Sequence, residues 1–99
     1  MNMQNMMAQA QKIQREIQKK QEEIDATIFE GKSEWVAVTM SGKRELKTFK
    51  INQDNLTDQE DIEILEDMTM IAVNDALKKI EDEIEKKLGA YGSGLSGLM

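Results

Sequence analysis

The chain has 99 residues with no cysteine and no histidine, and its formal net charge is -6 at pH 7, so we expect one domain in a reducing cytoplasm. Histidine is the usual general base and a common metal ligand, and phosphate-loop and nucleophile motifs are also missing, so we expect no enzyme, cofactor, metal or small-molecule substrate. The apolar runs are too short for a membrane span, and the acidic balance disfavours a polyanionic partner unless the charges are unevenly distributed.

An amphipathic helix is predicted over residues 1–26. Its apolar residues recur at alternating steps of three and four, the spacing of a heptad seam that packs against another helix. The seam consists of Met3, Met6, Ala10, Ile13, Ile17 and Ile24, and Lys20 alone interrupts it. The facing helix comes either from later in this chain or from a second copy. We assign packing or dimer contacts to Met6, Ala10, Ile13 and Ile17.

The opposite side of this helix is basic. Lys12, Arg15 and Lys19 lie about half a turn away from the seam at roughly 100° per residue, and glutamines flank them. Two interpretations of these three residues stay open, a solvated helix face and a surface that contacts phosphate.

A small antiparallel meander of three strands is predicted next. The strands cover residues 27–31, 35–40 and 45–52. In the middle strand Val36, Val38 and Met40 share one face, and a turn at residues 41–43 leads into the return strand. In the return strand, Phe49 and Ile51 are expected on one face, and Leu46, Thr48 and Lys50 on the other. Because so few strands are only marginally stable alone, a helix must cover the apolar side.

A second basic group occupies the turn and the return strand. It comprises Lys43, Arg44, Lys47 and Lys50, opposed only by Glu45. Lysines at a sheet edge often serve to prevent edge pairing, and a phosphate contact is the equally open alternative. The acidic residues are concentrated elsewhere, between Asp54 and Asp67, where no lysine or arginine stands. One surface can therefore attract a polyanion while another repels it.

A long second helix follows. Thr57 and Glu60 have the spacing of a capping box, and Lys86 and Lys87 form a basic last turn before Gly89. The helix is therefore about 30 residues and roughly 45 Å long at 1.5 Å per residue. Since a compact domain of this length is only about 33 Å across, we expect the helix to protrude.

The two halves of this helix present different apolar faces. The first half, through Ala72 and Ala76, is expected to cover the sheet. The second half is expected to pair with the first helix, of the same or another subunit, through Ile80 and Ile84. Asn74 is unusual in mid-helix, and we assign it to the packing or dimer contacts.

The organisation that we predict is a single domain over residues 1–88 and a flexible tail over residues 89–99, since the tail is rich in glycine and serine. In the alternative, Tyr91, Leu95 and Leu98 form a short docking segment. The sequence is compatible with both.

Several segments together resemble the YbaB/EbfC family of bacterial nucleoid-associated proteins. They are Val36-Ala37-Val38-Thr39 followed by Gly42, Phe49-Lys50-Ile51, and Asn74-Asp75-Ala76 inside the second helix. The similarity extends over nearly the whole chain. It implies an α+β fold, a homodimer whose helices project from a central sheet, and binding of double-stranded DNA in the cytoplasmic nucleoid without a cofactor.

This resemblance makes the basic residues candidates for contacts with DNA. We assign DNA binding to Lys12, Arg15, Lys19, Lys20, Lys43, Arg44, Lys47, Lys50, Lys78 and Lys79. Lys78 and Lys79 are the least distinctive, since i,i+4 pairing with acidic neighbours is a sufficient explanation for them. The expected role is nucleoid organisation or gene regulation. The alternative function is a dimeric helical clamp that binds another protein through the negative surface.

Overall fold

The elements of the chain follow the predicted order. The computed structural model describes residues 3–91. The elements are α1 (Met3–Ala26), β1 (Ile28–Lys32), β2 (Val36–Ser41), β3 (Leu46–Ile51) and α2 (Gln59–Leu88), followed by one 3-10 turn over Gly89–Tyr91. The α+β class, both long helices and the three-stranded meander are therefore confirmed. Most of the predicted tail lies outside the described residues.

The three strands form one antiparallel sheet in the order β1-β2-β3. Val38 at the centre of β2 pairs with Gly31 of β1 and with Phe49 of β3. Val36, Val38 and Met40 are buried on one face, as their alternation predicts. The core of the protein lies between this face and α2.

A β-bulge changes the faces of β3. Thr39 pairs with Thr48 but Met40 pairs with Leu46, so the intervening Lys47 is an extra residue on β3. The prediction that Leu46 lies on the same face as Thr48 is therefore wrong. The bulge brings Leu46 opposite the core residue Met40, on the face that also carries Phe49.

Helix α2 crosses the sheet over β1 and β2. At the crossing, a Cβ on Gly31 would overlap the carbonyl oxygen of Ala72 and would stand 2.8 Å from the backbone nitrogen of Ala76. Ala72 and Ala76 are fully buried, so small residues on both surfaces allow the close approach. The first half of α2 covers the sheet, as expected.

Two polar contacts fix the direction of α2 along β1. The Asp75 carboxylate accepts a hydrogen bond of 3.0 Å from the Lys32 backbone N–H, and the Lys79 ammonium donates one of 2.7 Å to the Glu30 carbonyl oxygen. Helix and strand therefore run antiparallel. The N-terminal half of α2 extends past the Lys32 end of the strand, whereas α1, which precedes β1, leaves from the Ile28 end.

The second half of α2 pairs with α1 of the same chain in antiparallel orientation. The residues buried between them or at their junction with the sheet are Ile24, Ile80, Ile84 and Leu88. Further out, the Lys87 ammonium lies 3.8 Å from the Glu23 carboxylate, and the Tyr91 hydroxyl lies 3.4 Å from Glu16. The predicted helix pairing is therefore intrachain for the second half of the seam, from Ile17 onward.

Helix α2 has the predicted length and ends at Leu88, before Gly89, but its caps differ from those expected. Its N-cap is Asp58, whose carboxylate accepts the Asp61 N–H at 2.9 Å, while the Asp61 carboxylate accepts the Thr57 N–H at 3.3 Å. Two aspartates thus form the reciprocal contacts that were predicted for Thr57 and Glu60. At the other end, Gly89 has φ -59° and ψ -30°, so it continues into the 3-10 turn instead of forming a left-handed cap.

The molecule is elongated, and part of its sheet is uncovered. Its principal extents are 71 × 21 × 15 Å and its radius of gyration is 19.3 Å, against about 13 Å for a compact domain of this length. The predicted protrusion of the helices is therefore confirmed. Helix α2 leaves β3 uncovered, and Leu46, Phe49 and Ile51 are 48%, 44% and 42% exposed. We call these three residues the β3 row.

Candidate nucleic-acid interface

One exposed basic surface lies on α1. Lys12, Arg15 and Lys19 are exposed on the side of the helix opposite to the seam. Within residues 3–91, none of the three forms an ion pair. At 1.5 Å per residue they extend over about 10 Å of helix, so their charges form a continuous line. We call these residues the α1 stripe.

Lys20 makes an internal contact. Its ammonium lies 5.0 Å from the centroid of the Tyr91 ring, which is the geometry of a cation–π interaction. The Tyr91 hydroxyl donates to the Glu16 carboxylate on the next turn of α1. Lys20 is half-buried and contributes to the pairing of the helices at their outer end. Its DNA contact stays a prediction.

Two members of the basic group at the β2–β3 turn have acidic neighbours. Lys43 lines a cleft of about 300 Å³ together with Glu22 and Asp25 from the end of α1. Lys47, the residue in the bulge, pairs with Glu45 at 3.3 Å. Both lysines are exposed, so these carboxylates reduce the local positive potential without shielding the ammonium groups from solvent.

The other two members of this group lie at the tip of the turn and on the outer face of the sheet. Arg44 is exposed and has a φ of 65°, a left-handed conformation that is uncommon for a residue with a side chain. Lys50 lines a shallow cleft of about 240 Å³, which also contains Lys32 and Glu30. The turn and the outer face thus carry a mixed surface with a moderate excess of positive charge.

Lys78 and Lys79 of α2 are engaged by carboxylates of the same helix. Lys78 pairs with Asp82 at 2.8 Å, and this hydrogen bond, together with the negative charge of Asp82, raises the pKa of Lys78 above its ordinary value. Lys79 lies 3.6 Å from Asp75 and also donates to the carbonyl oxygen of Glu30. The predicted i,i+4 pairing is confirmed for both lysines.

The acidic residues in the first half of α2 lie far from the α1 stripe. The first turns of α2 contain Glu60, Asp61, Glu63, Glu66 and Asp67. This part of the helix extends past the Lys32 end of β1, whereas the α1 stripe lies beyond the Ile28 end. A polyanion is therefore attracted to one end of the elongated chain and repelled from the other.

The residues assigned to packing fall into two groups. Ile80 and Ile84 are buried in the core, and Ile17 is packed against it. The exposed members are Met6, Ala10, Ile13 and Asn74. A dimer contact for these exposed residues stays a prediction, because the structure contains a single chain.

Sequence reasoning missed the contact between Asp75 and β1. The available signal was the position of Asp75, which helical periodicity places at the edge of the face formed by Ala72 and Ala76. A carboxylate at that position can reach the backbone of the strand beneath. It caps an N–H of the edge strand β1.

Within residues 3–91, no group of three or more acidic side chains is arranged to hold a metal ion. In the same range, neither long helix has an apolar segment sufficient to cross a membrane.

A known protein family matches nearly the whole chain. A model of the YbaB/EbfC DNA-binding family matches residues 1–95. The chain belongs to this family. Membership confirms the resemblance drawn from the sequence, and it indicates a DNA-binding protein rather than an enzyme.

Curated relatives match over almost their full lengths. A nucleoid-associated protein of Lactococcus lactis subsp. cremoris (strain MG1363) is 54% identical over 97 residues, which cover 96% of this chain and 97% of the relative. One of Streptococcus equi subsp. zooepidemicus (strain H70) is 48% identical over 99 residues, with 96% and 97% covered. The nucleoid-associated protein gbs1791 of Streptococcus agalactiae serotype III (strain NEM316) is 46% identical over 93 residues, with 92% and 93% covered.

Proposed function

We propose that this protein is a nucleoid-associated homodimer that binds double-stranded DNA, mainly through phosphate contacts made by the α1 stripe. Family membership supports DNA as the partner, and the relatives are named nucleoid-associated proteins. The observation that carries the proposal is the row of three exposed charges on a projecting helix, none of them ion-paired within residues 3–91. The proposed role is nucleoid organisation or gene regulation.

The β3 row supports the homodimer. Leu46, Phe49 and Ile51 present an apolar surface on the edge strand of the sheet, beyond the reach of α2. Exposed apolar residues on an edge strand lead to aggregation unless they are covered. A second copy related by a twofold axis covers the row in both chains at once, and it leaves no such surface free.

The first half of α2 provides a matching surface for that second copy. Ile62 is 43% exposed, and helical periodicity places it on the same face as Leu65 and Ala76. Since this part of α2 extends past the end of β1, it is available to cover the β3 row of a partner. In the proposed dimer the two sheets are central, and the α1 helices project as arms.

Binding by the α1 stripe is chiefly electrostatic. Each lysine or arginine that neutralises a phosphate releases condensed counterions, and this release is favourable whatever the base sequence. Arg15 can in addition form two parallel hydrogen bonds with one phosphate. Base reading is therefore unnecessary for affinity, and the acidic first half of α2 orients the DNA toward the arms.

The other basic residues receive lesser roles in the proposal. We propose supporting contacts for the exposed hairpin residues Lys43, Arg44, Lys47 and Lys50. Lys20, Lys78 and Lys79 are expected to contribute least, because Lys20 is half-buried against Tyr91 and the two lysines of α2 pair with carboxylates of that helix. This ranking depends on geometry and can be tested directly.

A gel shift with matched charge variants tests the site. The first variant combines Lys12→Gln, Arg15→Gln and Lys19→Gln. The comparison variant combines Lys32→Gln, Lys78→Gln and Lys86→Gln, three exposed lysines outside the α1 stripe. Both remove three positive charges per chain, so the net charge is the same. We expect the first variant to weaken binding by about a hundredfold or more, since it removes six phosphate contacts from a dimer, and the comparison variant to retain most of the affinity.

The same samples are examined by light scattering, because loss of the dimer also weakens binding. An unchanged dimer mass with lost retention supports the α1 stripe. Equal losses of affinity in the two variants would instead show that only net charge matters, and the residue assignment would be abandoned.

The second candidate function is the helical clamp for another protein. The observation that favours it is the exposed first half of the α1 seam, where Met3, Met6 and Ile13 are 77%, 55% and 46% exposed. Apolar binding of this kind responds little to salt. Retention of a protein partner that persists at high salt, with no retention of DNA at low salt, would favour the clamp.

A further inference from the structure

The outer half of the α1 seam has no cover within residues 3–91. Met3, Met6, Ala10 and Ile13 are all exposed there. From Ile17 onward the same seam packs against the core and α2. We call the four exposed residues the open seam. It continues a helix interface that is already buried, and a face of this pattern is covered when it packs on another helix.

The residues beside the open seam suit a second copy of α1. The open seam occupies the a and d positions of a heptad, and the e and g positions that flank it are Met7, Gln9 and Gln14. Opposite charges at e and g usually select a partner, but here these positions are uncharged. Between residues 3 and 14 the only charge belongs to Lys12, which lies on the α1 stripe. No like charges therefore oppose the approach of an identical helix along this face.

The sizes of the seam residues favour an antiparallel pair. When Met3 of one copy lies beside Ile13 of the other, each a position faces a d position, and Met6 faces Ala10. The long, unbranched side chain of Met6 fills the space that the small Ala10 leaves. In a parallel pair Ala10 would face Ala10, which leaves a void, and the positive ends of the two helix dipoles would lie side by side.

The shape of the projecting helices allows this overlap between molecules. The open seam is about 15 Å long at 1.5 Å per residue. The described part of the chain leaves this length clear, since the 3-10 turn ends at Tyr91, whose hydroxyl lies 3.4 Å from the Glu16 carboxylate. Antiparallel arms meet from opposite directions, whereas the two arms of one proposed dimer both leave from its central sheets. The partner arm therefore belongs to a different dimer.

We propose that the open seams of two dimers pair tip to tip, so that the joined arms hold two DNA duplexes together. This inference rests on the proposed function, because it takes the α1 stripe as the DNA-binding surface. The stripe and the open seam lie on opposite sides of α1, so the two stripes of an antiparallel pair face outward in opposite directions. One duplex lies on each side, with two packed helices, roughly 20 Å of protein, between them.

Arm pairing is weak in free solution and is strengthened by DNA. Each helix contributes only four seam residues, and the positive stripes of two approaching arms repel each other until phosphates neutralise them. Neighbouring duplexes that each carry several dimers bring many arms together, so that later contacts form at a raised effective concentration. The joined arms thus form where two duplexes already lie close to each other.

Disulfide trapping in the full chain tests the register, because the natural sequence has no cysteine. Chains with Met6→Cys and chains with Ala10→Cys are prepared separately and mixed on a long duplex under mild oxidation. The two positions face each other in the antiparallel pair, so we expect the mixed disulfide to form about tenfold faster than either homodisulfide, whose cysteines lie too far apart along the helices. The matched control uses Ala8→Cys in place of Ala10→Cys, since Ala8 is an exposed alanine about 160° around the same helix.

Bridging itself is measured with two duplexes. One duplex is fixed to beads, and retention of a second, fluorescent duplex reports bridging. Ala10→Gln is expected to reduce this retention about tenfold, because it places a polar amide in the paired seam. Ala8→Gln makes the same substitution on the other side of α1 and should retain bridging. Neither variant changes the net charge or the α1 stripe, so both should bind a single duplex normally in a gel shift.

The gel shift separates failure of arm pairing from failure of the proposed function. Normal binding of single duplexes with equal bridging by the two glutamine variants would overturn arm pairing and leave the proposed function intact. If the unsubstituted protein retains no single duplex, both proposals fail.

The disulfide products identify other occupants of the open seam. A homodisulfide at Met6 that forms faster than the mixed product would mean that the arms are parallel. A mixed disulfide whose native mass stays at that of one dimer would place both arms in the same molecule. Absence of both products would mean that another segment or another protein covers the seam. Each of these results overturns the proposal.

Discussion

At the scale of single residues, the fold depends on how closely α2 approaches β1. A side chain on Gly31 would overlap the backbone of α2 at Ala72, and backbone cannot move aside as a flexible side chain can. Gly89 is a contrasting position, because its helical φ of -59° suits any residue and a Cβ there meets only the Glu85 side chain. The two glycines serve different purposes, and substitution distinguishes them.

We therefore predict that Gly31→Ala destabilises the protein by about 1–3 kcal/mol, the usual cost of overpacking, or more if α2 is displaced from the sheet. The expected decrease in Tm is about 4–8 °C per kcal/mol for a domain of this size. The measurement is thermal unfolding at fixed chain concentration, because dimerisation makes Tm depend on concentration. Gly89→Ala is the control and should be neutral or slightly stabilising. Equal Tm values for the two variants would contradict the close crossing of α2 and β1.

At the scale of elements, β3 is a strand whose apolar side chains have no cover within residues 3–91 of the single chain. The β3 row is exposed, although the β2 residues that pair with it on the same face of the sheet are buried. In the proposed dimer, burial of Phe49 in both copies contributes about 4 kcal/mol. We predict that Phe49→Ser weakens dimerisation by about a thousandfold in Kd, and a dilution series in analytical ultracentrifugation measures this change.

The control for this prediction is Lys50→Ser, one residue further along the same strand and on the other face of the sheet. It creates the same side chain at an exposed position but leaves the β3 row intact, so the dimer should persist. If Phe49→Ser keeps the same mass at every concentration, the dimer interface does not include β3.

The elements themselves were largely predictable from sequence, and the arrangement around β3 was not. The heptad spacing of α1, the alternation in β2 and the acidic start and basic end of α2 are local patterns, and each produced the observed element. The bulge at Lys47 adds one residue to β3, so the residues before it lie on the face opposite to the one that strict alternation predicts. The composition of the strand gives no sign of this bulge, and Leu46 was therefore assigned to the wrong face. The N-cap is Asp58 and not Thr57. Each of these residues is followed three positions later by an acidic residue, so the capping-box spacing alone does not distinguish them.

The candidate site was predictable in part. The α1 stripe follows from helical periodicity alone, and the structure leaves it exposed. By contrast, the contact of Lys20 with Tyr91 depends on the antiparallel pairing of helices far apart in sequence. Helical periodicity places Lys20 on the seam and Lys19 on the opposite side of α1. Both were nevertheless assigned to DNA binding, and only the packing of the chain shows that Lys20 is engaged.

At the scale of the whole molecule, the spatial separation of charge decides how binding responds to salt. If each subunit of the dimer neutralises about three phosphates, log K falls with log salt at a slope of about -5, or roughly a thousandfold between 50 and 200 mM salt. The net charge of -6 does not prevent this, because the acidic residues in the first turns of α2 lie at the end away from the α1 stripe. Fluorescence anisotropy on a labelled duplex over a salt series measures the slope.

The same experiment determines how many arms bind. Arg15→Gln removes one phosphate contact per engaged arm, so the slope becomes less steep by about 2 if both arms hold DNA and by about 1 if a single arm does. Lys86→Gln removes the same charge from an exposed position on α2 and should leave the slope unchanged. A steep slope that Arg15→Gln does not alter would mean that phosphate is bound elsewhere on the molecule, and the basic turn between β2 and β3 would then be the next surface to substitute.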